Sequence, residues 1–147
     1  MDAQWVTPRI MVGAALQVAD LQLLVADNIT HICDVTMHDD DDFLNAATSH
    51  PAINCLWVKT DDDGGDKSGV YKPIAAWFLG AWLDPWSKFV FHCDGGINRG
   101  PSACYLGLRL LDWVDMAAEA GIRAARPQVG LRYMADAERC LQQLGYS

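Results

Sequence analysis

The sequence lacks a basic excess: 11 Lys and Arg stand against 19 Asp and Glu, for a formal net charge of −8. That balance argues against a general nucleic-acid binder held by phosphate contacts and against a protein drawn to anionic lipid. No CxxC pair occurs, and the five cysteines (33, 55, 93, 104 and 140) show no metal-ligand spacing, so no metal site is expected. Long hydrophobic runs are missing too; the longest, residues 75–83, is too short to cross a bilayer. The opening Met1-Asp2-Ala3-Gln4 has neither the basic nor the apolar region of a signal peptide. No internal repeat or low-complexity linker is visible. These absences lead to an expectation of one soluble domain spanning 1–147, cytoplasmic and reduced, with no nucleic-acid or membrane partner. They do not fix the oligomeric state, although a monomer is expected.

What the chain does have is core-forming residues. Half of it (51%) is hydrophobic, with six tryptophans, enough for a sizeable interior. Cys33, Cys55, Cys104 and Cys140 lie in apolar surroundings and read as reduced core residues. Strand-like and helix-like segments alternate, which argues for an α/β fold. Strands are expected at Trp5-Val6 and Ile10–Val12, Ile29–Val35, Ile53–Val58 and Lys88–His92, the last central. Helices are expected at Leu21–Val25 with Asp20 as cap, at 70–83, and at 101–113 with Pro101 in the first turn. Two more follow, Asp115-capped to Ala125 and then Gly130–Leu144.

The most informative stretch is Val90-Phe91-His92-Cys93-Asp94-Gly95-Gly96-Ile97-Asn98-Arg99-Gly100. A bare Cys-x5-Arg carries little information, since most such cysteines are ordinary core residues. Here the cysteine follows a strand, two glycines lie within the loop, and an apolar helix follows. Amides at a strand-to-helix loop can face an anion, and the helix dipole favours negative charge there. The same setting lowers a thiol pKa, so Cys93 is a candidate nucleophile. Gly95 and Gly96 would let the backbone turn. The Arg99 fork could hold two phosphoryl oxygens. Asp94, Gly95, Gly96, Ile97, Asn98 and Arg99 together form a candidate phosphate cradle. His92 is expected to orient the loop or tune the thiolate. The implied chemistry is phosphate-ester hydrolysis through a covalent phosphocysteine.

The segment HCDGGINRG resembles the His-Cys-x-x-Gly-x-x-Arg signature of the cysteine-based protein tyrosine phosphatases. The compact size, together with Pro8–Gly13, Asn28–Ile32 and the Arg126-Pro127 helix end, is similar to the dual-specificity branch. The resemblance implies a central, mostly parallel mixed sheet of about four to five strands flanked by helices. It also implies phosphorylated protein or peptide as substrate, and no cofactor. Phosphotyrosine and phosphoserine or phosphothreonine are both candidates, because no tyrosine-bearing loop that would deepen the pocket is apparent. One position departs from the pattern. The family usually carries Ser or Thr after the arginine, to support the thiolate and speed its departure, and here Gly100 stands there. Ser102, two residues on, is a supporting candidate.

Cleaving the ester also needs a proton donor. The family's acid sits at the end of a strand about thirty residues before the cysteine, which points to Lys59-Thr60-Asp61-Asp62-Asp63. Asp62 fits that register best, with Asp61 and then Asp63 as alternatives. Taken alone, the cluster would read as a solvated acidic turn. Asp39–Asp42 reads as a solvated loop, or as a rim that repels acidic substrates or selects basic peptides. Arg126 falls where similar phosphatases place a basic residue near the pocket mouth, although a plain helix-end charge fits equally. Two related chemistries are kept as alternatives: RNA 5′-triphosphatase, suggested by Asn98-Arg99, and inositol-lipid phosphatase. A low-turnover phosphate-binding module, suggested by Gly100, is a third.

Overall fold

The computed structural model describes residues 1–37 and 41–146. Five strands are present among them: β1 Ala3–Thr7, β2 Ile10–Gly13, β3 His31–Asp34, β4 Asn54–Trp57 and β5 Phe89–His92. They form one sheet in the order β1-β2-β5-β3-β4. β1 pairs antiparallel with β2, and every other pairing is parallel. β5 is therefore the central strand of the five, hydrogen-bonded on both sides, as its unbroken apolar sequence leads one to expect.

Alternation along the strands sends side chains to two cores. Ile10, Val12, Cys33, Val35, Phe89 and Phe91 face one side, and Met11, Ile32 and Val90 the other. The first face is covered by α3 (Ser68–Trp82), α4 (Arg99–Leu110), α5 (Asp115–Ala125) and α6 (Met134–Gln143). The second is covered by α1 (Val18–Ala26) and α2 (Asp42–Ser49). Phe78, Phe89 and Phe91 are each fully buried in the first core, each contributing about 1.5–3 kcal/mol of transfer free energy. α4 is buried nearly all round, so its start is held on every side.

Several boundaries differ from the sequence reading, each for a local reason. Asp20 does not cap α1; it lies in the first turn, where its Oδ2 accepts from the Gln17 N–H as the return half of a capping box. Asp115 is the first residue of α5, and Val114 is its cap. α2 was not anticipated: Asp41 caps it, its Oδ1 accepting from the Phe43 and Leu44 N–H groups. That assigns one member of the Asp39–Asp42 run a structural role; Asp39 and Asp40, like His38, lie outside the described residues. The last helix begins at Met134 rather than Gly130, because residues 130 and 131 are used to hold the cysteine loop.

Candidate active site

The loop from Cys93 to Asn98 leaves the carboxyl end of β5 and enters α4 at Arg99. Ligands of parallel α/β sheets gather at this end of the strands. The hydrogen bonds of the loop's carbonyls show how it is shaped. The Asp94 oxygen accepts from the Ala15 N–H at 2.9 Å. The Gly95 and Gly96 oxygens accept from the Arg126 guanidinium at 3.1 and 2.7 Å. The Ile97 oxygen accepts from the Gly130 and Leu131 N–H groups at 2.9 and 3.2 Å, and the Asn98 oxygen from the Ser102 N–H at 2.9 Å. Successive carbonyls thus face outward, into donors from three other segments and from α4 itself. Each peptide is trans, so its N–H points opposite to its carbonyl. The N–H groups of Gly95, Gly96, Ile97, Asn98 and Arg99 are thereby turned toward the space the loop encloses. Among the described residues, those of Gly95, Gly96, Ile97 and Asn98 donate to no protein acceptor. The arrangement is a concave nest of amides at a helix N-terminus, a ready seat for a tetrahedral anion.

The shape is held at some cost. Leu131 adopts φ +52° to deliver its amide, a left-handed conformation that costs a non-glycine residue about 1–2 kcal/mol. Gly96 has φ +64°, and a Cβ there would lie 2.6 Å from Arg126 Nη2 and 2.8 Å from both Ala14 N and Gly13 C. Gly95 has no such demand: its nearest neighbours would be Ile97 side-chain atoms at 3.6 Å. Of the two glycines singled out in the sequence, the loop requires the second.

Cys93 sits between β5 and the loop, 2% exposed. Arg99 is 8% exposed. Its Nη1 donates to the Thr60 carbonyl at 2.8 Å and its Nη2 lies 3.2 Å from Asp94 Oδ2, while the buried Nε has no partner among the described residues. The anchor on Thr60 leaves Nε and Nη2, one edge of the fork, as the pair with which the guanidinium can grip an oxyanion. His92 Nε2 lies 3.3 Å from Asp34 Oδ2, and the imidazole meets the Phe43 ring edge-on. Burial pushes the Asp34 carboxyl up, but the nearby His92 imidazole and the Thr36 N–H outweigh it and hold the group below its ordinary value. Paired with β3, His92 supports the floor of the loop.

The acidic run is sorted by geometry. Asp62 Oδ2 accepts from Asn98 Nδ2 at 3.2 Å, which brings this carboxylate to the edge of the loop. Its Oδ1 accepts from the Tyr133 hydroxyl at 2.7 Å and from Arg132 Nη1 at 3.3 Å. Burial raises this carboxyl, yet the hydrogen bonds from Tyr133 and Asn98, the Arg99 charge and Arg132 together hold it below its ordinary value. Asp61 is exposed and makes no hydrogen bond among the described residues. Asp63 is tied to Lys67 Nζ at 2.8 Å and to the Gly65 N–H, away from the loop.

Two supporting candidates sit at the back of the loop and in the interior. Arg126 is 1% exposed, so it does not stand at the pocket mouth; it braces the back of the loop. Ser102 is fully buried, and its Oγ accepts from the Tyr133 N–H at 3.2 Å. Gly100 has a packing reason to be glycine. A Cβ there would lie 3.0 Å from Cys93 N and from His92 C, because the helix start is seated against the strand end. Tyr133, Arg132 and Thr60 were missed in the sequence. None carries a spacing signal, and the chain meets them at the loop only after folding.

No family sequence model matches the chain, and no curated protein is significantly similar to it. Solved structures are similar over nearly its whole length. A mouse protein assigned as a dual specificity phosphatase, complexed with zinc tungstate, shares 23% identity at TM-score 0.80, covering 97% of this chain and 87% of its own. Human DUSP28 shares 18% at TM-score 0.79, covering 98% and 95%. PTPMT1 in complex with PI(5)P shares 13% at TM-score 0.77, covering 97% and 99%. The five-stranded sheet, the helices on its two faces and the loop between β5 and α4 are together the fold of the dual-specificity and related protein tyrosine phosphatases.

Proposed function

We propose that this chain is a cysteine-dependent phosphatase acting on phosphoproteins. The observation that supports this reading is the outward turn of successive carbonyls from Asp94 to Asn98, which turns the N–H groups of the loop between Cys93 and Arg99 toward the space it encloses. Such a nest, with a guanidinium edge at its rim, stabilises the charge of a phosphoryl group in transit. The Cys93 thiolate attacks phosphorus while the bond to the leaving oxygen breaks and Asp62 supplies that oxygen's proton. Water then attacks the phosphocysteine, its proton goes to the Asp62 carboxylate, and the P–S bond breaks to restore the thiolate. Asp62 is favoured over Asp61 and Asp63 because it contacts the loop, through Asn98.

The substrate is phosphotyrosine, with phosphoserine and phosphothreonine also accepted, in a protein or peptide. The chain works as a monomer in the cytoplasm, where the thiols stay reduced; all five cysteines are free. Purified protein under reducing conditions is expected to hydrolyse p-nitrophenyl phosphate and phosphopeptides. Cys93→Ser is expected to abolish turnover while retaining phosphate binding. No hydrolysis of either substrate by the wild-type protein overturns the proposal.

Gly100 supports a second reading, a module that captures phosphate esters and releases them slowly. Without a hydroxyl at that position, thiolate departure from the phosphoenzyme loses a supporting group. Rapid labelling of Cys93 in a single turnover, with little phosphate released, would favour that reading; steady turnover removes it. An inositol-lipid substrate is suggested by the PI(5)P-bound neighbour, but Asp94 places an acid inside the loop of this chain. Phosphopeptides are therefore expected to be hydrolysed in preference to inositol lipids and to triphosphate-ended RNA.

A further inference from the structure

The loop carbonyls of Gly95 and Gly96 both rely on one side chain, Arg126, and that side chain has its own support. The guanidinium is 1% exposed, so its charge sits away from water. A buried cation needs a counter-charge or fixed acceptors, or it moves to find them. Here these come from the first residues of the chain. Asp2 Oδ1 accepts from Arg126 Nη1 at 2.6 Å and Asp2 Oδ2 from Nη2 at 3.0 Å, while Gln4 Oε1 accepts from Nη1 at 2.7 Å. The Asp2 backbone is itself held, its carbonyl accepting from the Ala14 N–H at 2.9 Å beside the β1–β2 pairing. Asp2 and Gln4 thus fix one side of the guanidinium, and its other side fixes Gly95 O and Gly96 O.

We infer that Asp2 is a positioning residue for the phosphate loop: by neutralising and orienting Arg126 it keeps the Gly96 and Ile97 amides aimed at the bound oxyanion, although it touches neither substrate nor Cys93. The inference rests on the phosphatase reading and adds the chain's second residue to the machinery behind the site. Without Asp2, Arg126 would lose its charged partner and its two-oxygen grip. The guanidinium would then turn toward solvent or toward Gln4, and the two loop peptides would be free to rotate. Rotation of those peptides turns two donors away from the anion.

The test compares wild type, Asp2→Ala and Asp2→Asn in the full chain, with tungstate and inorganic phosphate as probes of the loop and p-nitrophenyl phosphate as substrate. Thermal unfolding of the same samples shows that each is folded at the assay temperature. Asp2→Ala is expected to weaken tungstate binding and lower kcat/KM about tenfold, the scale of a sub-ångström misplacement at a reacting centre. Asp2→Asn, which keeps an oxygen for Nη1 but not the charge, is expected to fall between. A merely structural residue would lower the melting temperature and leave oxyanion affinity unchanged in the folded protein. Unchanged tungstate affinity and kcat/KM in a folded Asp2→Ala overturns the inference while leaving the phosphatase reading intact. If wild type neither binds tungstate nor hydrolyses the ester, the phosphatase reading falls first, and this inference falls with it.

Discussion

Adding one methyl group to each of two adjacent glycines separates a loop shaped by backbone geometry from one that is merely flexible. At Gly96 the residue must hold φ +64°, which costs an L-residue about 1–2 kcal/mol. The new Cβ would also lie 2.6 Å from Arg126 Nη2 and 2.8 Å from Ala14 N and Gly13 C. Two of these neighbours are backbone, and the third is a guanidinium already committed to five acceptor atoms. Overpacking of that kind costs a further 1–3 kcal/mol, about 2–5 kcal/mol in all with the strain at φ. For a chain of this size that corresponds to a fall in Tm of about 4–20 °C. Gly95→Ala meets no atom closer than 3.6 Å and does not hold a positive φ. By restricting the unfolded chain it is expected to be neutral or to stabilise by about 0.4–1 kcal/mol. Paired thermal and urea denaturation measures both, and tungstate binding on the same samples reports the loop. Gly96→Ala is expected to lose both stability and oxyanion affinity, and Gly95→Ala to keep them. Equal effects at the two positions, or a harmless Gly96→Ala, would refute the loop geometry on which the functional proposal stands.

Asp62→Ala is expected to slow hydrolysis of aryl and alkyl phosphates with poor leaving groups by about 10²–10⁴-fold, and of p-nitrophenyl phosphate much less; equal losses count against Asp62 as the acid. Tyr133→Phe removes the 2.7 Å hydrogen bond that favours ionised Asp62. It is expected to move the alkaline limb of kcat/KM to higher pH, and an unmoved limb in the pH profile contradicts the role given to Asp62. The same bond carries a stability signature. Because the folded Asp62 carboxyl lies below its ordinary 3.8, its contribution is present above that pH and is lost as pH falls through the lowered value. The stability gap between wild type and Tyr133→Phe, measured by denaturation, should therefore narrow below pH 3.8, leaving the part due to the Gly64 N–H, from which the Tyr133 hydroxyl accepts at 3.0 Å. Asp94→Asn removes a carboxylate that lies 3.2 Å from Arg99 Nη2. It is expected to tighten phosphate binding about two- to fivefold, the scale of a partly exposed ion pair, and calorimetric titration with inorganic phosphate checks it.

Local sequence was enough for the elements whose signals are local. The unbroken apolar run of β5 marked an inner strand, and the cysteine loop between strand and apolar helix marked the anion seat. In both, neighbours in sequence are neighbours in space, so pattern and chemistry coincide. The placing of Asp62 ahead of Asp61 as the proposed acid came from the resemblance to the phosphatases rather than from local pattern; in the fold Asp62 hydrogen-bonds the Asn98 side chain of the loop. Helix ends were less legible. Whether Asp20 or Asp115 caps a helix or lies inside it turns on one backbone dihedral pair, which composition does not reveal. The roles of Arg126, Tyr133 and Asp2 were beyond local reading, because each is defined by partners thirty or more positions away. By itself, then, the sequence determined where a cysteine, an arginine and a chain of amides would stand together. Only tertiary structure decided what turns those amides inward and which carboxylate reaches them, since hydrogen bonds across the fold, not residue spacing, orient each peptide and each charge.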